Sequence, residues 1–321
     1  MYLRLKKTVL ILSFLLLVSC KEEKPQTLRI AINAWPGYEA LNLAKEKGFF
    51  EQAGLNVEFV QVASLADTQR VYLNNKVDGL TSTLIEAIQI QSFAVRPIRI
   101  ALLTDYSLGG DVIIADKSIA DIQGLKGKSI GTEVSSLGIY VLQRGLQKAG
   151  LSLQDVSIKN VEQMSGIREM NNNNISAFVS YPPISVELLK YPNYHVIFDS
   201  SDIPKEVVDI VSISQSYLEQ HPNTLDKLWR AWQLAYDFIK AHPKEAMTIM
   251  AKYEGLSEAE FTEAFANLQM QPGNEQSRLI NSDFLKDITE RVCSTLSEIN
   301  SINGSCGFVP SMFYDNKDAQ Q

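Results

Sequence analysis

The side chains with chemistry to offer are hydroxyls, aromatics and acids, gathered where strand-like runs give way to helices. Trp35, Pro36, Gly37 and Tyr38 follow one such run, and Thr81, Ser82 and Thr83 follow another. Residues 104–111, TDYSLGGD, add Tyr106, Ser107, Gly109, Gly110 and Asp111 between two apolar runs. Later come Glu133, Ser135, Ser136 and Tyr140, then Tyr181 and Pro182. Acids recur in or near these loops (Glu39, Glu86, Asp105, Asp111 and Glu133), whereas arginine and lysine are absent from them. Aromatic rings with carboxylates suit a small amine or aminopyrimidine-like ligand, through stacking, cation–π attraction and charge-assisted hydrogen bonds. A small anion such as nitrate or a sulfonate is the competing ligand, held by Ser135, Ser136 and a helix N-terminus. Asp111 and Glu133 oppose that anion unless protonated or turned away.

Catalysis asks for a constellation that cannot be assembled here. The three histidines are His195, His221 and His242, and the last two precede prolines. No HExxH, CxxC or phosphate-loop pattern occurs. The reading is of a binder that performs no chemistry and needs no cofactor or metal.

Strands alternating with helices must position these loops. Residues 28–33 alternate as a strand, and 39–47 carry helical spacing; 56–62 and 65–75 repeat the pair. Residues 77–80 lead to what reads as a polar turn at 81–83, followed by a helix over 85–94 and a strand over 98–103. The pattern restarts after Asp111, with strands expected near 112–115, 129–133, 156–161, 176–179 and 196–198, and helices at 137–149 and 164–170. Such alternation argues for a largely parallel, doubly wound α/β sheet. Gly109-Gly110 permits positive φ and close approach, so 104–111 reads as a crossing from one lobe to another along a cleft wall. The run 207–213 is a strand able to return the chain to the first lobe.

From Pro222 onward nearly all is helix. Leu225, Leu228, Trp229, Trp232, Ala235, Tyr236 and Ile239 share one face, with both tryptophans expected in the core. Pro243 suits a first helical position, and Ser257–Glu260 fits a capping box.

The ends speak to destination. Arg4, Lys6 and Lys7 precede an apolar run at 8–18 that is too short for a comfortable permanent span. It ends in Leu17-Val18-Ser19-Cys20, which has the form of a bacterial lipobox, with Cys20 as the lipidated residue and 21–27 as tether. Lipidation would leave the rest beside a membrane on the periplasmic side. The formal charge of −7 becomes −10 once the three leader cations are removed, a poor balance for binding nucleic acid. Export would allow Cys293 and Cys306 to pair and clip a loop containing Gly304 and Gly307; two free thiols are the alternative.

Several stretches together resemble one family: WPGYEALNLAKEKGFFEQAGLNVEFV at 35–60, TDYSLGGDVIIA at 104–115, DIQGLKGKSIGTE at 121–133, KAGLSLQDV at 148–156 and FDSSDIPKEVVDIVSI at 198–213. They are similar to the nitrate/taurine/alkanesulfonate-type solute-binding proteins of ABC importers and to the related thiamine-pyrimidine-precursor binders. The resemblance covers essentially the whole mature chain. It implies a type II periplasmic-binding-protein fold with two α/β lobes, two crossover strands and a C-terminal helical block on the first lobe. Residues 1–19 would then be signal peptide, 20–27 lipidated Cys and tether, 28–108 with 209–321 lobe 1, and 109–208 lobe 2. It implies ligand contacts at the first-loop aromatic, the Ser/Gly stretch and the second-lobe helix start. The implied partner is an ABC permease, with a membrane sensor protein as alternative, and the protein is expected to act as a monomer.

Overall fold

A computed structural model describes residues 27–314. The leader, Cys20 and the tether up to Gln26 therefore lie outside the described residues. The first lobe opens with βα units: β1 (Leu28–Ile32), α1 (Glu39–Glu46), α2 (Phe49–Gln52), β2 (Val57–Gln61), α3 (Leu65–Leu73), β3 (Gly79–Thr83) and α4 (Leu84–Ser92). Crossover strand β4 (Ile98–Ser107) then leads to the second lobe. That lobe holds β5 (Val112–Asp116), β6 (Ser129–Thr132), α5 (Leu137–Lys148), β7 (Ser157–Asn160), α6 (Gly166–Asn171), β8 (Ala177–Ser180), α7 (Ile184–Leu189) and β9 (Tyr194–Asp199). Strand β10 (Val208–Ser214) returns to the first sheet. The C-terminal block is α8 (Gln215–Gln220), α9 (Thr224–Ala241), α10 (Pro243–Glu254), α11 (Glu258–Phe265), β11 (Leu268–Met270), α12 (Gln276–Ile280) and α13 (Asp283–Glu298).

The six-stranded sheet runs β11-β4-β10-β3-β1-β2 and the five-stranded sheet β7-β6-β8-β5-β9. The expected largely parallel sheet is corrected to a mixed one. Strands β1, β2 and β3 are parallel, as βα units require, but β10 enters from the other lobe and runs antiparallel to both β3 and β4. In the second sheet β5 is likewise antiparallel to β8 and β9.

Two further corrections concern the polar stretches. Thr81, Ser82 and Thr83 finish strand β3 instead of forming a turn, and β4 continues through Thr104, Asp105, Tyr106 and Ser107. The short strand β11, which helical periodicity concealed, pairs with β4 at Asp105, Tyr106 and Ser107, while β10 pairs on the other edge. Ladder bonds on both sides keep this polar segment extended, against its turn-like composition. The string GKSIG at 127–131 has GxSxG spacing, yet Ser129 opens strand β6 and does not sit at a strand-to-helix elbow.

The helical block packs on the first lobe. Leu228, Ala231, Trp232 and Ala235 form the buried face of α9, while Leu225, Trp229, Tyr236 and Ile239 are half-buried beside it. Trp229 Nε1 donates to the carbonyl of Ala101 at 2.6 Å and Trp232 Nε1 to that of Gln271 at 2.7 Å, which pins α9 to the sheet edge. Pro243 opens α10, and Ser257 with Glu260 forms the expected capping box on α11. Cys293 on α13 is bonded to Cys306, with Cα atoms 5.9 Å apart. The segment it holds covers α4, where Gln89 and Gln91 donate to Ser301 and Ser311.

Candidate ligand-binding cleft

The floor of the cleft is built where the crossover strands leave the first sheet. Asp209 on β10 stands directly opposite Asp105 on β4 and Thr83 on β3. Opposed residues of an antiparallel pair share a face with Cβ atoms about 5 Å apart, so the register sets two carboxyls side by side. Tyr38, at the start of α1, donates its hydroxyl to Asp209 Oδ1 at 2.7 Å. Between them passes the loop carrying Trp35 and Gly37, and a Cβ at Gly37 would run into the Asp105 carboxyl. A Cβ at Gly110 would lie 2.6 Å from Trp35 Cη2. Glycine there lets the first crossover close against the indole. Ser107 and Ser200 bond at 2.7 Å through their hydroxyls, and Ser200 Oγ also accepts from the Gly109 N–H at 2.7 Å, which ties the two crossing segments together.

The second lobe supplies the opposite wall, and it is shut. Tyr181 stands edge-on to Trp35, ring centroids 6.2 Å apart at 82°, and its hydroxyl accepts from the Leu65 N–H at 3.3 Å. Gln69 of α3 donates to the Ser135 carbonyl at 2.7 Å. Glu133, after β6, accepts from the Gln163 N–H at 3.3 Å through one oxygen. Glu86 on α4 reaches the start of α5, where Ser136 Oγ and the Leu137 N–H both donate to its Oε1, at 2.7 and 2.6 Å.

The electrostatics are one-sided. Asp105, Asp111, Asp209 and Glu133 are almost wholly buried, and one oxygen of each (Oδ1, Oδ2, Oδ2 and Oε2 in turn) meets no donor at good geometry. Asp105 and Asp209 adjoin each other, and the Trp35 indole, Ser107 and Ser64 lie close to Asp105, Asp111 and Glu133 respectively. Burial pushes the carboxyls of Asp105, Asp111 and Glu133 up to about 7. Burial, followed by the charges of Asp105 and Asp111, raises Asp209 well above the usual carboxylate range. Among the described residues no lysine or arginine forms an ion pair with any of the four, and no three His, Cys, Asp or Glu residues are placed to hold a metal ion together. Unmatched acceptors in a low-dielectric cleft are costly alone and attract N–H donors carrying positive charge.

Of the residues singled out from the sequence, Trp35, Tyr38, Thr83, Ser107, Gly110, Asp111, Glu133 and Tyr181 come together around this cleft. Ser82 is buried with an unpartnered hydroxyl, whereas Thr81 turns to the Ala31 carbonyl and Asn33. Tyr106 is taken to the opposite face of β4 by strand alternation, where it meets Phe284 with Lys205 above its ring. Ser135 is exposed. Tyr140 donates to Glu206 at 2.8 Å, which also binds Arg144 in a groove against α13. Glu39 sits apart with Glu254, behind α1. At the α5 N-terminus, where Ser135 and Ser136 were the position for the competing anion, Ser136 Oγ and the Leu137 N–H already donate to Glu86. Asp209 and Gln69 escaped the sequence reading. An acid inside the apolar run VVDIVSI was the visible signal for Asp209; its pairing with a residue 104 positions earlier was not.

Comparison with known proteins gives the same frame. The family described as NMT1/THI5 like matches residues 35–246. A putative thiamine biosynthesis protein of Haemophilus influenzae is 25% identical over 223 residues, 68% of this chain and 70% of that protein. A putative binding protein of Brucella abortus is 25% identical over 313 residues, 95% of this chain and 89% of the relative. In structure, the alkanesulfonate-binding protein SsuA from Xanthomonas axonopodis pv. citri, bound to MOPS, superposes with a TM-score of 0.78 at 15% identity, over 90% of this chain and 98% of that one. The fold is therefore that of the periplasmic binding proteins.

Proposed function

This chain belongs to the NMT1/THI5-like family, and we propose that within it the protein is a lipid-anchored periplasmic solute-binding subunit of an ABC importer, closing on a small amine or aminopyrimidine-like cation. The observation that carries the ligand class is the set of buried oxygens without a well-placed donor on Asp105, Asp111, Asp209 and Glu133, in the cleft that the Trp35–Tyr181 contact closes, with no arginine or lysine paired to them. The fold supports the solute-binding role, since ligands of α/β proteins sit where strand ends and loops converge between lobes. In this reading residues 28–108 and 209–321 form one lobe, 109–208 the other, and hinge closure about β4 and β10 presents the loaded form to a permease. Cys20 and the tether keep the protein at the membrane, and no reaction is catalysed. No helix of the described residues is long and apolar enough to cross a membrane.

A thermal-shift screen of the chain from Lys21 onward tests the ligand class. Ligand at about 100 times its dissociation constant stabilises by roughly 2.7 kcal/mol, a shift of about 5 °C for a chain of this size. Amines and aminopyrimidines are expected to give that shift, and Glu133→Gln to remove it. A shift from nitrate, taurine or an alkanesulfonate with none from any amine sinks the ligand class. So does undiminished amine affinity in Glu133→Gln.

A further inference from the structure

Glu86 is fully buried, and its two oxygens do different work. Oε2 accepts from the Thr83 N–H at 2.7 Å and from Thr83 Oγ1 at 2.6 Å, which is the capping box of its own helix α4. That role uses one oxygen. Oε1 points into the other lobe and accepts from Ser136 Oγ and the Leu137 N–H, the first donors of α5. A single carboxylate thus lies between two helix N-termini, one from each lobe, and takes four hydrogen bonds from them. Helix N-termini present unsatisfied N–H groups and partial positive charge, the usual seat of a bound anion. Here the anion belongs to the chain.

We propose that Glu86 is a specificity-determining latch: on closure it occupies the oxyanion position at the α5 N-terminus, holds the lobes together, and so excludes solutes whose own anionic group needs those donors. The inference rests on the reading of the cleft as a closing solute site. Two further bonds cross the same seam, Gln69 to the Ser135 carbonyl and the Leu65 N–H to the Tyr181 phenolic oxygen, but neither places a charge there. A purely local cap would leave Oε1 facing solvent or its own lobe, and it does neither.

The test is Glu86→Ala with sodium acetate and sodium methanesulfonate as probes, sodium chloride at matched ionic strength as control. Thermal shift reads binding, and the radius of gyration from solution scattering reads closure. Acetate or methanesulfonate is expected to raise the melting temperature of Glu86→Ala and leave wild type unmoved, since only the variant has free donors. Affinity for whichever amine binds wild type is expected to fall at least about tenfold, the loss of hydrogen bonds to a charged group. If Glu86→Ala ignores both oxyanions and keeps wild-type amine affinity, Glu86 is a cap of α4 and the latch is wrong. Should that variant not fold, Ser136→Ala leaves the α4 capping box intact. It is expected to weaken closure and amine binding several-fold, and wild-type behaviour there overturns the latch equally. The oxyanion response needs no amine. An oxyanion-responsive Glu86→Ala with no amine binding in wild type would therefore keep the latch and discard the ligand class.

Discussion

Glu86 and the Asp105, Asp111, Asp209 group occupy the same closed cleft and are buried alike, yet Glu86 has four donors while each aspartate keeps an oxygen without one. The difference follows from the elements that carry them. Glu86 sits in the first turn of a helix and faces the first turn of another, where backbone N–H groups are free by construction. Asp105 and Asp209 sit on strands whose backbone donors are already committed to ladders with β3, β10 and β11. Burial alone does not separate a structural acid from a functional one. Donor supply and position have to be taken together: Glu86 is saturated across the seam, whereas the cleft aspartates keep acceptors that, in the proposed function, a ligand with its own N–H groups would meet.

Asp111→Asn breaks the comparison most sharply. The change keeps shape and removes charge, so amine affinity at pH 8 is expected to fall by about 100-fold, as when one member of a buried charge-assisted pair is lost. The unligated variant should nevertheless melt higher than wild type, by about 3 °C, because an unpartnered buried carboxylate is a cost that the amide relieves. Glu86→Gln should move melting the other way, since the amide nitrogen meets donors where an acceptor stood. Calorimetric titration with differential scanning separates the two. If Asp111→Asn melts lower than wild type, Asp111 is structural and its distinction from Glu86 collapses.

Acidity sharpens the same contrast. Burial pushes the carboxyls of Asp105, Asp111 and Glu133 up to about 7 in the folded protein, against about 4 in an unfolded chain. Between those values the folded state holds more protons, so unfolding free energy falls as pH rises. The stabilisation is fully present below about 4 and is lost through about 7. Unligated protein should therefore melt at least about 5 °C lower at pH 8 than at pH 5. Amine affinity should run oppositely, rising toward pH 8 as the carboxyls lose the protons that compete with the cation. A flat melting profile, or affinity that falls with pH while the amine stays protonated, counts against the starved-carboxylate site.

Much of this frame was legible in the sequence. The βα alternation gave the lobes, 207–213 gave the return strand, and capping chemistry at Ser257 and Pro243 gave helix starts to the residue. What stayed hidden was non-local pairing. Composition made TST look like a turn and ended the strand before TDYS in the crossing, and only the neighbours β10 and β11, more than a hundred residues away in the chain, hold them extended. The same blindness hid Asp209, whose meaning comes from standing opposite Asp105. It also left the α5 N-terminus open to a solute anion as the competing ligand, because a helix start advertises donors but does not say that Glu86 accepts from them. Strand alternation likewise turned Tyr106 away from the residues on either side of it.

A third pair of acids supplies the control. Glu39 and Glu254 are buried together behind α1, and Glu254 has neither oxygen partnered. Burial, then the charge of Glu39, raises the Glu254 carboxyl well above the usual range, while Glu39 is pushed up to about 7. Glu254 is as short of donors as the cleft aspartates, while Glu39 accepts from Asn42 at 2.6 Å, and the pair lies against the Trp35 loop. Position, and not starvation by itself, is what the ligand hypothesis invokes. Glu254→Gln should accordingly raise the melting temperature of the unligated protein at pH 8 by about 2 °C and flatten part of its pH dependence. Amine affinity should stay within about threefold of wild type, as for a site whose side chains do not meet the ligand and touch the cleft only through the Trp35 backbone. A loss as large as that of Asp111→Asn would mean the Trp35 loop transmits the state of this pair to the cleft, and the boundary drawn between the two groups of acids would have to move behind α1.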